Sequence, residues 1–306
     1  MKFPLLLAAA ATMGCLALSA HGVASASECP APAAAPAPAS TRLPLNGLRV
    51  GVALGSGSMH GLAHIGVIEA LEARGLDVKV VAGTSVGAIV GSLWASGLSG
   101  RDIETFARAS DFEKLDDFTA SWQGLFSNEG LRERMKGAFG GRPIEAWPRR
   151  FAAVATNVET GGARLLMTGD GATAVQASTA VPVLFQPVTV DGERLADGAL
   201  VQPVPVQAAR DLGADYVIAV DVAYRPYEEP ASGLTQFGFQ AMHILINSLA
   251  AEQMRGADFP LRLDVHRQLM DCGPESLIAV GREAVRSAWP ELARALAARA
   301  KLRPKP

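Results

Sequence analysis

The chain has 306 residues, 49% of them hydrophobic and 19% charged, and its 28 basic against 30 acidic side chains leave a formal net charge of −2. That balance, with no basic cluster, excludes a nucleic-acid-binding surface, and the apolar share is that of a folded domain rather than a disordered chain. Three cysteines are too few for a disulfide framework, and no His, Cys or acidic cluster has metal-ligand spacing, so no metal or organic cofactor is expected.

Met1-Lys2, an uncharged and mostly apolar run from Phe3 to Ala20, and Ala24-Ser25-Ala26 read as a secretory signal peptide over residues 1–26. The expectation is an exported protein, periplasmic or secreted. A membrane-spanning anchor is the weaker reading, because small residues dominate the run. Lipoprotein processing at Cys15, after Thr12-Met13-Gly14, is a third and would leave the chain anchored in a membrane. Residues 27–44 are Pro/Ala-rich with almost no charge, a stiff linker, and the domain is expected over 45–303. Cleavage leaves Cys29 and Cys272, either paired or as two separate thiols.

Residues 48–54 read as a first buried strand, closed by the glycine-rich Gly55-Ser56-Gly57-Ser58-Met59-His60-Gly61. Leu62, Ile65, Ile68 and Leu71 then follow the helical period, with Gly75 at the expected stop. Residues 77–82 form a second strand, and Val86 to Ser96 a buried helix, so the opening is strand–helix–strand–helix and implies parallel pairing. A helix over 101–109 leads into the less regular Asp111–Ser127, whose Phe112, Phe118, Trp122 and Phe126 form either a lipid-facing lid or a packed cover. A helix near 128–139, strands at 151–156 and 164–167, and a hairpin of 188–190 with 194–196 deliver the chain to Asp197-Gly198. A helix over 204–212, a strand at 216–220, a long helix near 236–255, a strand at 261–265 and a final helix from about Pro274 complete the pattern.

Between the second strand and its helix lies Gly83-Thr84-Ser85-Val86-Gly87, a G-x-S-x-G at a strand-to-helix turn. Such a turn holds the serine out from the backbone with helix amides behind it, making Ser85 a candidate nucleophile for acyl transfer. The first glycine-rich loop is the natural oxyanion donor, with Gly57 and Ser58 the chosen amides. As a dinucleotide fingerprint the loop has one residue too many, and Asp77 opens its strand instead of ending it. Of the five histidines, His21 leaves with the signal, His60 and His64 belong to the loop and first helix, and His243 and His266 sit in a helix and at a strand end. Asp197 follows a hairpin and precedes a glycine, which fits a carboxylate base as well as an ordinary turn.

The segment Leu54–Ile68 (LGSGSMHGLAHIGVI), the pentad 83–87, the stretch Ala177–Phe185 (ASTAVPVLF) and Asp197-Gly198-Ala199 together resemble the patatin-like phospholipase family, in order and spacing, over about 48–222. The resemblance implies a three-layer α/β/α domain with a mainly parallel central sheet. It also implies a serine hydrolase acting on lipid or related esters through a Ser–Asp dyad: Ser85 nucleophile, Asp197 base, Gly57 and Ser58 at the oxyanion hole. Gly55, Ser56, His60, Gly61, Gly83, Gly87 and Gly198 would support those motifs, and a lipid or ester at a membrane surface would be the partner. His60 stands where the family usually carries Arg or Lys, which favours neutral esters or slower turnover, and Ser56-Gly57-Ser58 replaces a glycine run. Two other readings remain at this stage: a Ser–Asp–His α/β-hydrolase using His243 or His266, and a catalytically weak patatin-like lipid-binding or scaffold protein.

Overall fold

The computed structural model describes Cys29 and residues 43–109, 117–121, 124–223, 233–265, 272–273 and 275–302. The leader with Cys15 and His21, nearly all of the linker, His266, Phe112 and Trp122 lie outside the described residues.

Strands β1 (Val50–Leu54) and β2 (Val78–Thr84) flank helix α1 (Leu62–Glu72), and α2 (Val86–Ala95) and α3 (Gly100–Ala109) follow. A hairpin of β3 (Asp117–Ser121) and β4 (Gly124–Ser127) precedes α4 (Glu129–Phe139). Next come β5 (Arg150–Asn157), β6 (Ala163–Leu166), α5 (Gly171–Ser178), β7 (Val188–Val190), β8 (Glu193–Asp197), α6 (Val206–Asp211) and β9 (Tyr216–Asp221). The described part ends with α7 (Leu234–Met254), β10 (Phe259–Arg262) and α8 (Ser276–Lys301).

Apart from that hairpin, the strands form one eight-stranded sheet. β10, β9, β1, β2 and β5 pair in that order, all parallel, while β6, β7 and β8 join antiparallel. β1, β2, β5 and β9 are almost continuously apolar because both faces are covered, while the edge strand β10 is half exposed. One face carries Val52, Leu54 and Val81 against α1, α2, α5 and α8, and the other carries Ala53, Val80 and Ala82 against α6 and the end of α7. The expected three-layer α/β/α arrangement is what the chain adopts.

Register explains how distant segments meet. β2 pairs Arg150–Val154 of β5, and β8 pairs Ala155–Asn157, while β6 spans Ala153–Thr156. A strand has two edges, so β2 and β8 must share one of them end to end, with β6 on the other. Asp197, opposite Ala155, therefore stands immediately beyond Thr84, opposite Val154.

Helices α1 and α8 cross at two glycines. A Cβ on Gly66 would fall 1.9 Å from the Ile278 carbonyl oxygen, and one on Gly281 2.0 Å from that of Ala63. Beside the crossing, Arg282 reaches the buried Glu69 at 2.5 Å and Glu104 at 2.9 Å, tying α8 to α1 and α3. Cys29 and Cys272 form a disulfide, which decides between the two readings left by the sequence. Of the four aromatics between 111 and 127, Phe126 packs edge-on against Phe185 with centroids 6.5 Å apart.

Candidate active site

Ser85 caps α2 with φ 55° and ψ −124°, a conformation costly for a residue with a Cβ. Its neighbours show why the turn needs glycine. A Cβ at Gly83 would meet the Gly87 oxygen at 2.3 Å, and one at Gly87 the Leu54 oxygen at 2.1 Å. The Ser85 amide donates to the Ser178 hydroxyl at 3.0 Å, and that hydroxyl donates to the Val154 carbonyl at 2.6 Å. Ser178, fully buried at the end of α5, thus pins the turn to β5.

The Asp197 carboxyl accepts from the Ala199 amide at 2.8 Å, and the Ser85 side chain is near enough to lower its pKa. Its own amide donates to the Ala180 carbonyl at 2.8 Å, so α5 and the two residues after it touch both Ser85 and Asp197. Gly198 admits no side chain, since a Cβ would lie 2.1 Å from the Val154 oxygen. Burial raises the Asp197 pKa to about 6, against the lowering effect of the Ala199 hydrogen bond and the Ser85 side chain. Such a carboxylate is ionised at neutral pH yet basic enough to take a hydroxyl proton.

In the glycine-rich loop the Gly55 amide donates to Val220 and the Ser56 amide to Pro203, at 2.9 and 2.8 Å. Gly57 and Ser58, the next two residues, border the cavity that Ser85 and Asp197 also line. Both the His60 amide (3.1 Å) and its Nδ1 (3.0 Å) hold the Gly57 carbonyl. Because the peptide is planar, fixing that carbonyl fixes the Ser58 N–H on the opposite side. The histidine at the family's usual Arg/Lys position is thus mostly buried and serves the loop backbone. His64 is wholly buried, which lowers its pKa to about 4, so the neutral ring donates Nε2–H to the Gly55 carbonyl at 2.8 Å. Gly61 lets the loop press on α2, for a Cβ there would lie 2.2 Å from Val86 Cγ2.

The cavity has a volume of about 640 Å³. Its inner part is apolar, formed by α1, α2, α3 and α4, and its outer part lies beside α7 with Met242, His243 and Asn247. His243 therefore shares the cavity, and burial lowers its pKa; the carboxyl whose pKa Ser85 influences is that of Asp197. No group of three or more His, Cys, Asp or Glu side chains able to hold a metal occurs among the described residues.

The structure thus brings together Ser85, Asp197, Gly57 and Ser58, from three separate parts of the chain. It adds Ser178, which sequence reasoning passed over; the only signal was its place inside the stretch 177–185.

A family model described as patatin-like phospholipase matches residues 52–210, slightly more than half of the chain and all within 48–222. The chain belongs to the patatin-like phospholipase family. An NTE family protein of Mycobacterium tuberculosis is 36% identical over 180 residues, 57% of this chain and 49% of that protein. A protein named lysophospholipase NTE1, from Meyerozyma guilliermondii, is 29% identical over 229 residues, 72% of this chain and 16% of that one. The chain spans about half the length of the first curated relatives it matches. The solved structure of VipD from Legionella pneumophila superposes with a TM-score of 0.47 at 15% identity, over 78% of this chain and 67% of that one.

Proposed function

We propose that this patatin-like protein is a serine acyl hydrolase that cleaves carboxylic esters of lipids. The observation that carries the reading is that Ser85, on its strained turn, and a buried Asp197 whose pKa the serine side chain lowers line the same apolar cavity. Asp197 takes the Ser85 proton as Oγ attacks the ester carbonyl carbon. The Gly57 and Ser58 amides receive the developing oxyanion. Collapse of the tetrahedral intermediate expels the alcohol, which takes the proton from Asp197. Asp197 then activates a water, whose attack releases the fatty acid and restores Ser85. A lipid substrate is supported by the family description and by a relative named as a lysophospholipase.

Export is part of the proposal, supported by the amino-terminal pattern and by a disulfide that a reducing compartment would not maintain. Mass spectrometry of the mature protein tests it: a chain starting at Ser27 supports export, and a lipid on Cys15 supports anchoring instead.

The catalytic reading is tested by fluorophosphonate labelling and p-nitrophenyl ester hydrolysis of the intact protein, Ser85→Ala and Asp197→Asn. Labelling lost in the serine variant and turnover lost in both is the expected result. An intact protein that neither labels nor turns over ester refutes the proposal in favour of a binding or scaffold role. Turnover retained in Asp197→Asn but lost in His243→Ala would move the base to His243.

A further inference from the structure

We infer that the inner arm of the cavity is an acyl-chain gauge, bounded by the buried Leu93 and Ile103 at a depth that seats about ten carbons. The inference rests on Ser85 being the acylated residue. α2 starts at Ser85, and Val86, Ile89, Val90 and Leu93, all lining the cavity, form one stripe along that helix. With a rise of about 1.5 Å per residue, Leu93 lies about 12 Å along the axis from Ser85. An extended chain advances about 1.2 Å per bond, a third of the reach of a three-bond residue, so the arm takes about ten carbons. A membrane acyl chain spans half of a hydrocarbon core about 30 Å thick, about 15 Å, and overruns it.

The two ends differ in exposure. Leu93 and Ile103 are each 1% exposed, whereas Met59 and Leu200 at the mouth are 44% and 37% exposed. The inner arm offers no charge for a headgroup, and its amide, Asn128, is committed to the Gln176 carbonyl and the Thr179 hydroxyl at 3.0 and 3.2 Å. The outer part, with His243 and Asn247, is left for the alcohol side of the ester. The geometry therefore selects medium-chain acyl groups over the long chains of bulk membrane lipid.

The test is a p-nitrophenyl ester series from C4 to C16 on the intact protein, Leu93→Ala and Ala107→Phe. Each seated methylene adds up to about fourfold to kcat/KM, so the profile climbs to about C10 and then stops rising. Leu93→Ala deepens the arm and raises the C14 to C10 ratio at least tenfold. Ala107→Phe, on the half-buried side of α3, fills it and lowers the C10 to C4 ratio at least tenfold. Ratios within one variant are independent of its folded fraction, and the Ala107 change holds if Leu93→Ala fails to fold. Turnover with a flat profile, a climb continuing to C16, or ratios unmoved by the substitutions overturns the gauge alone. Absence of both turnover and labelling overturns the hydrolase reading and the gauge with it.

Discussion

Replacing Asp197 by Asn should abolish turnover and make the protein more stable. Asp197 is 3% exposed, and burial raises its pKa from the usual 3.8 to about 6. At about 1.4 kcal/mol per pH unit, that difference is worth about 3 kcal/mol. The sign follows from which state holds the proton more tightly. The folded pKa is the higher one, so the native state is favoured below about pH 4, and that advantage is lost as pH rises through about 6. At pH 7.5 the wild-type protein carries a buried carboxylate at a cost of about 3 kcal/mol, and a neutral amide of the same shape removes it. Urea unfolding of both proteins at pH 7.5 and pH 4 measures the difference. Asp197→Asn should gain up to about 3 kcal/mol at pH 7.5 and nearly nothing at pH 4. Equal gains at the two pH values, or a loss at pH 7.5, would refute the assignment of the raised pKa to burial of this carboxylate.

The wild-type enzyme's kcat/KM should rise with unit slope through about pH 6, as Asp197 ionises, and level off above it. Ser178→Ala removes the acceptor of the Ser85 amide; kcat should fall by about tenfold to a hundredfold with KM little changed, measured by ester steady-state kinetics. Arg282→Ala leaves Glu69 buried without its cation and should cost about 3–5 kcal/mol in urea unfolding at pH 7, with Arg282→Lys recovering part of it. Reduction of Cys29–Cys272 should lower stability by about 2–4 kcal/mol, read as a fall in Tm with reductant that a Cys272→Ser variant does not show.

Features that depend on neighbours in sequence were legible before the fold was known. The pentad around Ser85 announces itself because strand, glycine turn and buried helix are contiguous. Helix α5 was passed over because Gly171–Ser178 is built of small residues with no apolar period. Its one local sign was Asp170, which accepts from the Ala172 and Thr173 amides as an N-cap. The last strand was expected at 261–265 but runs Phe259–Arg262. Pro260 lies inside it, which β10 accommodates as an edge strand of the described sheet, where the missing N–H is tolerated. The pairing of Cys29 with Cys272, and the sharing of one β5 edge by β2 and β8, arise from register across the folded chain. No local pattern encodes them.

The close crossing of α1 and α8 bears on when the protein becomes active. Its glycine-rich loop is written early in the chain, but α1, whose entrance it forms, is wedged by Gly66 and Gly281 against the last described helix. β1, which feeds the loop, also needs β9 as its neighbour. A chain that emerges amino-terminus first, at about 5–20 residues per second, therefore carries Ser85 long before it has a rigid place to receive an oxyanion. The loop's rigid setting waits for the last described helix and for β9, long after Ser85 has been made.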